Sequence, residues 1–466
     1  MHTACQLKVN CPRWRPATPA ALAAKYDARV PRYTSYPTAP HFHAGVGERD
    51  YRAWLAAIEP KRPVSLYLHI PFCAQLCWYC GCHTSVAGRR APIADYVDAL
   101  VDEIELVAEA IGRRLPVASV HLGGGTPNSL DPRDVDRIFE ALGRAFAINN
   151  DAEIATEIDP RALTRQWVEA VSRNGLRRAS LGVQDIDPTV QKAINRRQPW
   201  AVTVRAVDAL RDAGVASINL DLMYGLPHQT VATIEETIAQ VLKVEPDRIA
   251  LFGYAHVPWM KRAQKLIPQD ALPDVEERYR QQARAAELLS RAGYVSVGLD
   301  HFARANDPLA RALAVGTLHR NFQGYTTDDA DTLIGFGASS IGRQRGGYVQ
   351  NFAKTLEWRN AVAAGRLPIA RGAALTDDDR LRGEIIERLM CDFRVDLDAF
   401  ADRPGFDPGG FTAEFRKLTP FETDGLVARD RRTLIVTDRG RPFVRAICAV
   451  FDRYLVASAE RHSRGI

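Results

Sequence analysis

Short apolar runs and longer amphipathic stretches alternate along the chain from about residue 60 to residue 255. The short runs have the length of buried strands, and the longer stretches repeat their apolar residues with the period of a helix. A strand followed by a helix, repeated six times, is typical of a parallel sheet wrapped by helices. The strands are predicted at 65–70, 119–122, 153–158, 178–183, 217–225 and 248–254.

The pattern also indicates that polar side chains collect at one rim of this sheet. In a β/α barrel the chemistry lies at the carboxyl ends of the strands. The first strand leads into a cysteine-rich loop at 73–82, and the second leads into GGGTP at 123–127. The later strands carry or reach Glu157, Gln184, Asp221 and the segment YAHVP, which begins at Tyr254.

The segments on either side of the barrel have a different character. Residues 1–60 contain PRYTSYPTAP, which is Pro-rich and without clean periodicity, and we expect an extended arm or lid. Residues 61–365 are predicted to hold the barrel and a following segment, with one further strand at 294–303 and a polar loop at 318–327. Residues 366–466 are predicted to form a mainly helical domain with a winged-helix-like pair of short strands. Its helices are predicted at 378–391, 411–418 and 441–455.

Composition and charge limit the classes of partner that the protein is expected to bind. The hydrophobic content of 46% is ample for a large core and a smaller one. The net charge of +5 is modest and comes without concentrated basic runs, so nucleic acid is not indicated. The N-terminus lacks an apolar signal-peptide core, and no apolar run approaches the ~20 residues that cross a bilayer. We therefore expect a cytoplasmic protein without a membrane partner, and a monomer, since no heptad seam is present.

Four of the eight cysteines fall within the ten residues CAQLCWYCGC at 73–82. In a reducing cytoplasm such a cluster indicates metal binding or catalysis rather than disulfides. Cys73, Cys77 and Cys80 have CxxxCxxC spacing, and three thiolates can hold three corners of an iron–sulfur cubane whose fourth iron stays open. Cys82 is a possible fourth ligand. Because side chains in an extended CxC pair point in opposite directions, we interpret it as a spare thiol.

A structural zinc site is the alternative interpretation of this loop. Zinc prefers four tetrahedral ligands and would take the three cysteines of the CxxxCxxC motif with either Cys82 or His83. Combined with the winged-helix-like end, such a site would indicate a zinc-stapled DNA-binding regulator. Structural zinc sites usually draw their ligands from two separate segments, which favours the iron–sulfur interpretation. The remaining cysteines are scattered and are expected to be free thiols: Cys5, Cys11, Cys391 and Cys448.

The motifs around the cysteines resemble those of the radical S-adenosylmethionine (SAM) enzymes. The CxxxCxxC motif after a strand, with Tyr79 before the third cysteine, is similar to their signature. YLHIPFCAQLCWYCGC and GGGTP narrow the resemblance to the coproporphyrinogen oxidase and haem-chaperone branch. The CxC thiol, PRYTSYPTAP, DHFAR, LHRNFQGYTT and YVQNF resemble the oxygen-independent coproporphyrinogen III oxidases. The resemblance runs from about residue 28 to the C-terminus and departs slightly at His83-Thr84, where relatives more often have Asn-Lys.

The resemblance implies a fold and an activity. The fold would be a partial (β/α)6, TIM-like radical SAM barrel, with a substrate-binding segment after it and a helical C-terminal domain. The activity would be that of a radical SAM oxidoreductase of haem biosynthesis, which converts two propionates of coproporphyrinogen III to vinyl groups and gives protoporphyrinogen IX. A [4Fe–4S] cluster would cleave SAM reductively to a 5′-deoxyadenosyl radical. An electron donor such as flavodoxin or ferredoxin would be a partner.

A haem chaperone on the same radical scaffold is the alternative within this branch. Such relatives typically lack the CxC thiol and the N-terminal arm, and both are present in this sequence. Transfer of haem without decarboxylation would favour the chaperone.

The resemblance also implies roles for individual residues. The implied cluster ligands are Cys73, Cys77 and Cys80, and the implied catalytic residues are Tyr67, His69, Cys82 and Glu157. The implied SAM contacts are Tyr67, Tyr79, Gly124, Gly125, Thr126, Glu157, Gln184, Arg196, Asp221 and Ala255, with Gln323 and Ile341 touching a second SAM molecule or the substrate.

A tetracarboxylate substrate calls for cationic partners, because guanidinium groups bind carboxylates with paired hydrogen bonds. Five basic residues near the family motifs are candidates, although each is otherwise explained as a solvated surface charge: Arg32, Lys261, Arg262, Arg304 and Arg320. The PRYTSYP segment would close over the substrate and exclude water and oxygen.

Overall fold

The computed structural model describes residues 18–404, 406–407 and 409–455, and its main feature is a twelve-stranded sheet. Six strands run parallel and in chain order through the middle of this sheet, as the alternating pattern predicts. They are β1 (Val64–Ile70), β2 (Pro116–Gly124), β3 (Ala147–Ile158), β4 (Leu176–Gln184), β5 (Ser217–Tyr224) and β6 (Arg248–Gly253).

Helices connect successive parallel strands, and their apolar residues pack with those of the strands in one large core. Local signals in the sequence set their ends. The Asp131 carboxylate accepts a hydrogen bond from the Arg133 N–H at the start of one helix, and Gly112 ends another at a φ of 70°. The helices are α1 (Pro19–Tyr26), α2 (Glu48–Ala56), α3 (Ala91–Ile111), α4 (Pro132–Ala145), α5 (Arg165–Arg173), α6 (Pro188–Ala193), α7 (Trp200–Asp212), α8 (Val231–Lys243), α9 (Val275–Arg291), α10 (Pro308–Val315), α11 (Thr355–Ala363), α12 (Asp377–Asp392), α13 (Thr412–Thr423) and α14 (Val444–Cys448).

The prediction of one continuous strand at 294–303 is wrong, because the chain turns back on itself within this segment. Gly298 has a φ of 59°, and a Cβ at that position would collide with the ring of Tyr325. The two halves are antiparallel strands, β7 (Tyr294–Val297) and β8 (His301–Arg304), and they extend the sheet beyond β6.

The polar loop predicted at 318–327 is also wrong, because the segment is a short hairpin. Gln323 N–H donates to the Asn321 side chain at 2.9 Å, and Gly324 has a φ of 122°, which closes a tight turn. The two strands of the hairpin are β9 (His319–Asn321) and β10 (Gly324–Thr326).

The edge of the sheet at β1 carries four strands that the pattern does not predict. The first of them pairs in parallel with β1, and the others follow as antiparallel neighbours. The linear strand order leaves the barrel partial rather than closed. The four strands are β11 (Leu333–Phe336), β12 (Ile341–Gln344), β13 (Gly347–Asn351) and β14 (Ile369–Ala374).

The C-terminal residues and the N-terminal segment share a second core. Leu22 and Tyr26 of α1 pack with apolar residues of α12, such as Leu389. The Tyr26 hydroxyl and the Lys25 ammonium group both donate to Asp424, each at 2.6 Å. The N-terminal segment, which is predicted as an extended arm, contains two helices, α1 and α2, that its irregular sequence does not indicate. The boundaries near residues 60 and 365 stay predictions.

The C-terminal region contains the two short strands that the sequence predicts, together with a third. The predicted helix at 441–455 is too long, because only α14 is α-helical and 3₁₀ turns flank it on both sides. Among the residues that the structure describes, no helix is long and apolar enough to cross a membrane. The three strands are β15 (Arg394–Asp396), β16 (Val427–Asp430) and β17 (Thr433–Val436).

Candidate active site

The cysteine loop begins at the carboxyl end of β1 and lies against the glycine-rich turn that follows β2. Gly125 N–H donates to the Ile70 carbonyl at 2.8 Å, and the Thr126 hydroxyl donates to Cys73 Sγ at 3.5 Å. A Cβ on Gly125 would come within 2.8 Å of the Phe72 carbonyl oxygen. Glycine is therefore required for these two loops to meet.

Two guanidinium groups face the sulfur of Cys77. Arg196 Nη1 lies 3.5 Å from Cys77 Sγ, and Arg161 Nη2 lies 3.6 Å from it. Both arginines also form ion pairs with Asp159, at 3.4 and 2.6 Å. A thiolate at this position would be neutralised by nearby positive charge. The family resemblance implies Arg196, but Arg161 and Asp159 are not predicted, although Asp159 directly follows β3.

Cys80 and Cys82 interact with each other at the outer end of the loop. The Cys82 N–H donates to Cys80 Sγ at 3.4 Å, and a hydrogen bond from the Cys82 side chain lowers the pKa of Cys80 to about 6. Cys82 is exposed, whereas Cys77 is buried. Lys261 Nζ donates to the Cys82 carbonyl at 3.2 Å, so the loop after β6 contacts this end of the cysteine loop.

Tyr67 and His69 form a hydrogen-bonded pair near the end of β1. His69 Nε2 lies 2.9 Å from the His83 carbonyl, which can only accept, so Nε2 carries the proton. His69 Nδ1 therefore accepts from the Tyr67 hydroxyl, at 3.1 Å. Burial lowers the pKa of His69, which favours the neutral ring. A Cβ on Gly124, whose φ is 113°, would come within 2.6 Å of this ring.

His121 links Tyr67 to Glu157 across neighbouring strands. Tyr67 and His121 are register partners on β1 and β2, and their rings stack with centroids 5.9 Å apart. His121 Nε2 lies 3.5 Å from Glu157 Oε1, and Gly124 N–H donates to Glu157 Oε2 at 3.0 Å. Burial alone would raise the pKa of Glu157, but these two contacts lower it, so the carboxylate is charged. His121 is not among the residues predicted from the sequence, although the alternation of side chains along β2 is a signal for it.

Three of the predicted site residues line one cavity of about 180 Å³ inside the barrel: Glu157, Asp221 and Gln323. Asp221 accepts hydrogen bonds from the Ser180 hydroxyl at 2.8 Å and from Asn219 Nδ2 at 2.7 Å. Burial raises the pKa of Asp221 to about 6. Of the four carboxyl groups that line the cavity, those of Glu157 and Asp221 thus differ in proton affinity.

The side chain of Gln264 joins the two loops that carry Tyr79 and Ala255. Its Nε2 donates to the Tyr79 carbonyl at 2.9 Å and to the Ala255 carbonyl at 3.1 Å. Tyr79 also packs in a small apolar cluster with Tyr254 and Ile267. Two of the predicted SAM contacts, Tyr79 and Ala255, are therefore side by side.

Three further predicted residues do not line the barrel cavity. Gln184 ends β4 with a φ of 70°, and its Nε2 and the Arg196 guanidinium both lie beside Gly182. Ile341 packs in a cluster with Phe322, the neighbour of Gln323, rather than lining the barrel cavity. Arg304 Nε donates to the Pro246 carbonyl at 3.2 Å, on the side of β8 away from the cavity.

A second cavity, of about 50 Å³, lies beside the end of β6 and is lined by four arginines and Asp300. Burial alone would raise the pKa of Asp300, but the hydrogen bond from His301 and the charges of Arg320 and Arg32 lower it to about 2. Phe252 lines this cavity and the barrel cavity, so the two are neighbours. The four arginines are Arg32, Arg278, Arg320 and Arg445.

Within this arginine cavity, Arg320 has unused hydrogen-bonding capacity. Its Nε and Nη1 atoms are buried without a hydrogen-bond partner, and its guanidinium lies 4.5 Å from the centroid of the Tyr325 ring. Arg320 also lines a larger cavity of about 780 Å³, bounded by the N-terminal segment and α12. The sequence predicts Arg320 and Arg32. It misses Arg278 and Arg445, although a lone arginine in the apolar run PFVRAICAV is a signal for the latter.

Two family models match the chain in the regions just described. The radical SAM superfamily matches residues 67–241, which include the cysteine loop, and the HemN C-terminal domain matches residues 375–443. The oxygen-independent coproporphyrinogen III oxidase of Bradyrhizobium diazoefficiens is 49% identical over 448 residues, which cover 96% of this chain and all of that protein. The chain belongs to the oxygen-independent coproporphyrinogen III oxidases.

Other members of the oxygen-independent coproporphyrinogen III oxidases agree with this assignment. The Pseudomonas aeruginosa protein of that name is 40% identical, over 96% of this chain and 98% of its own length. The solved structure described as coproporphyrinogen III oxidase (HemN) from Escherichia coli, a radical SAM enzyme, matches with a TM-score of 0.85 and 37% identity. The match covers 92% of this chain and all of the other. The predicted family and fold class are confirmed.

Membership in this family implies a [4Fe–4S] cluster and SAM, as the sequence predicts. The residues present fit both groups. Cys73, Cys77 and Cys80 are free thiols on one loop, and guanidinium groups face the sulfur of Cys77. In the described ranges, no three His, Cys, Asp or Glu side chains are close enough together to hold one metal ion. A [4Fe–4S] cubane does not need such a group, because each thiolate binds a different iron. Cys5 and Cys11, which are predicted to be free thiols, lie outside the described residues.

Proposed function

We propose that this protein catalyses the oxygen-independent oxidative decarboxylation of two propionate groups of coproporphyrinogen III to vinyl groups, giving protoporphyrinogen IX. The observation that carries the proposal is near-full-length identity of 40–49% to oxidases of this name, combined with the cysteine loop at the mouth of the barrel. The haem chaperone and the zinc-stapled DNA-binding regulator lack such support. The enzyme is a radical SAM oxidoreductase of porphyrin biosynthesis.

Cys73, Cys77 and Cys80 are proposed to hold the [4Fe–4S] cluster. When bound, the cluster and SAM would supply a 5′-deoxyadenosyl radical to remove a hydrogen atom from the β-carbon of a propionate, and loss of CO₂ and one electron would then leave the vinyl group. Arg161 and Arg196 contribute positive charge beside the sulfur of Cys77, which offsets the charge of a thiolate.

Other residues at the barrel mouth are proposed to position SAM. Glu157 is charged, and its contact with the Gly124 N–H leaves its remaining lone pairs for the ammonium group of the amino acid. The neutral His69 ring orients the Tyr67 hydroxyl without adding charge near a sulfonium. Positions Tyr79 and Ala255 are proposed to contact the adenine, since Gln264 holds their loops together. The remaining proposed contacts are Gly125, Thr126, Gln184, Arg196 and Asp221, with Gln323 and Ile341 toward a second SAM or the substrate.

The arginine cavity is proposed to bind substrate carboxylates. Four guanidinium groups surround one carboxylate, Asp300, so positive charge is in excess there. The buried Nε and Nη1 atoms of Arg320 need an acceptor, and a propionate oxygen supplies one. Since Phe252 separates this cavity from the barrel cavity, a carboxylate held by Arg320 places the macrocycle beside the SAM site.

The setting of the reaction is also proposed. The cluster needs electrons from outside the chain, so a small electron carrier such as flavodoxin or ferredoxin is proposed as a partner. Free thiols are required as cluster ligands, which supports a cytoplasmic location. The protein is proposed to act as a monomer.

The test is an anaerobic assay of the reconstituted protein with dithionite, SAM and coproporphyrinogen III. We expect 5′-deoxyadenosine and protoporphyrinogen IX to form together, as measured by liquid chromatography. Cys80→Ser should abolish both and lose cluster iron, whereas Cys82→Ser should keep the iron content of the wild type. Haem transfer without a vinyl product contradicts the proposed reaction. Loss of iron from Cys82→Ser contradicts the three-ligand assignment.

A further inference from the structure

Most of the large apolar side chains that are exposed in the described structure lie around the cysteine loop. In the described part of the chain seven large apolar residues are exposed, and five of them lie in residues 74–90 or in residues 256–267. These two segments, which we name the docking face, contain the cysteine loop after Cys73 and the loop that contacts it. The five residues are Leu76, Val86, Trp259, Met260 and Leu266, and their exposed fractions are between 38% and 58%.

The two segments of the docking face form one continuous surface. Lys261 Nζ donates to the Cys82 carbonyl, and Gln264 Nε2 donates to the Tyr79 carbonyl, so 256–267 lies directly on the cysteine loop. On the other side, Val86 pairs with Cys73. The exposed apolar residues therefore surround the thiols that are assigned to the cluster.

The docking face is also strongly basic. Its two segments carry five basic residues and no Asp or Glu, an excess equal to the net charge of the whole chain. Arg90 pairs with Asp131 at 3.0 Å, and no other basic residue of the face forms a salt bridge within the described ranges. The guanidinium of Arg29 lies 4.7 Å from the ring centroid of Trp259 and adds further positive charge. The five basic residues are Arg89, Arg90, Lys261, Arg262 and Lys265.

We propose that the docking face binds an acidic one-electron carrier protein, which delivers electrons to the cluster through the exposed side of the cysteine loop. The inference rests on the proposed function, which requires an external electron source. Complementary charge speeds the encounter of such partners, and transient electron-transfer complexes use small interfaces of less than about 1,200 Å². A small apolar centre with a basic rim fits this kind of partner. Cys77 and Cys80 are themselves part of this face, which shortens the path to the cluster.

The test compares binding of a purified bacterial flavodoxin to the cluster-loaded enzyme and its variants. Arg89→Glu/Lys265→Glu reverses two charges of the docking face that belong to neither the SAM site nor the arginine cavity. We expect it to weaken flavodoxin binding, measured by calorimetry at low salt, by about tenfold or more. Arg416→Glu/Lys417→Glu is the matched control, because it makes the same charge change on two exposed residues of α13. The control should bind flavodoxin like the wild type.

A second variant separates the apolar contribution from the charges. Met260→Ser/Leu266→Ser should also weaken flavodoxin binding, while the salt dependence of the remaining affinity stays that of the wild type. With dithionite as reductant, both double variants should form 5′-deoxyadenosine at the wild-type rate, because dithionite does not need a docking surface. Melting temperatures close to that of the wild type would show that the variants are folded.

Two results would overturn the proposal. The first is unchanged flavodoxin affinity in both double variants. The second is a raised KM for coproporphyrinogen III with dithionite as reductant and unchanged flavodoxin binding, which would assign the face to the substrate. A wild-type protein that binds flavodoxin through this face but forms no vinyl product would refute the proposed function and leave the docking proposal standing.

Discussion

Arg320 has two buried guanidinium nitrogens without a hydrogen-bond partner in the described structure. Leaving a buried donor unsatisfied costs about 1–3 kcal/mol, and more for a charged group. The ring of Tyr325 covers the guanidinium, and Asp300 supplies a nearby charge without occupying these two nitrogens. The residue is therefore arranged for an acceptor that arrives from outside, and we propose that a carboxylate of the substrate supplies it.

Arg320→Gln should raise the KM for coproporphyrinogen III, by about tenfold or more, because a charge-assisted hydrogen bond contributes about 1.5–3 kcal/mol. The affinity for SAM, measured by equilibrium dialysis, should be unchanged. Arg311→Gln, on the exposed side of α10, is the control and should change neither value. An unchanged KM in Arg320→Gln would exclude this arginine from substrate binding.

Glu103 is a second buried charge, and its role is structural. Gly337 N–H donates to it at 2.6 Å, Asn351 Nδ2 at 2.6 Å and Trp358 Nε1 at 3.1 Å. Burial nevertheless raises its pKa from 4.5 to about 7. The pKa of Glu103 is higher in the folded state than in the unfolded state. Protonated Glu103 therefore contributes stability that is fully present below about pH 4.5 and is lost as the pH rises through 7.

Glu103→Gln should remove this pH dependence. The free energy of unfolding of the wild type should fall relative to that of the variant between pH 5 and pH 8, by about 3 kcal/mol at most. Urea unfolding of both proteins at four pH values in this range measures the difference. Parallel stability curves for the two proteins would show that Glu103 does not take up a proton in the folded state.

At the scale of elements, the turn after β2 positions the site through its lack of side chains. Gly124 has a φ of 113°, its N–H binds Glu157, and the ring of His69 occupies the space where a Cβ would lie. Only glycine satisfies these three conditions together.

Gly124→Ala should therefore lower both the stability and the affinity for SAM, because the turn must move away from His69 and Glu157. The loss of stability should exceed the ~1 kcal/mol that backbone strain alone costs. Gly143→Ala is the control: Gly143 lies within α4 with open space around it, and alanine should stabilise it by up to about 1 kcal/mol. Chemical denaturation and equilibrium dialysis measure the two effects. A variant at Gly124 as stable as the wild type would contradict the packing described for this turn.

Element by element, the sequence predicts what is encoded locally. The parallel strands are short apolar runs between helices, and the cysteine loop is recognised by the spacing of its cysteines. Both features are therefore predicted correctly from the sequence. The hairpin β9–β10 and the strand β11 are short and take their form from distant neighbours, so periodicity misses them. The arginine cavity joins residues that are separated by up to about 400 positions along the chain, and no local pattern brings Arg278 and Arg445 to the same place.

At the scale of the whole molecule, the N-terminal segment and the C-terminal region depend on each other. Leu22 of α1 is buried in the second core, and the Arg445 guanidinium donates to the Pro31 carbonyl at 3.0 Å. The arginine cavity draws on both regions and on the barrel. The order of this cavity therefore depends on the packing of α1.

Leu22→Ala should destabilise the second core by about 2–5 kcal/mol, the usual cost of this substitution at a buried site. Hydrogen exchange should rise in α12 as well as in α1, because both pack in that core. Leu356→Ala, at an exposed position of α11, is the control and should leave exchange unchanged. Faster exchange confined to α1 would show that the two regions unfold independently.

The central claim is that this chain directs a radical derived from SAM to the propionate side chains of coproporphyrinogen III. The most direct test uses substrate deuterated at the β-carbons of the propionates, in an anaerobic assay with mass analysis of the 5′-deoxyadenosine formed. We predict that the 5′-deoxyadenosine gains deuterium in step with formation of protoporphyrinogen IX. Formation of 5′-deoxyadenosine that carries no deuterium would contradict the account. Formation of the vinyl product without any 5′-deoxyadenosine would also contradict it.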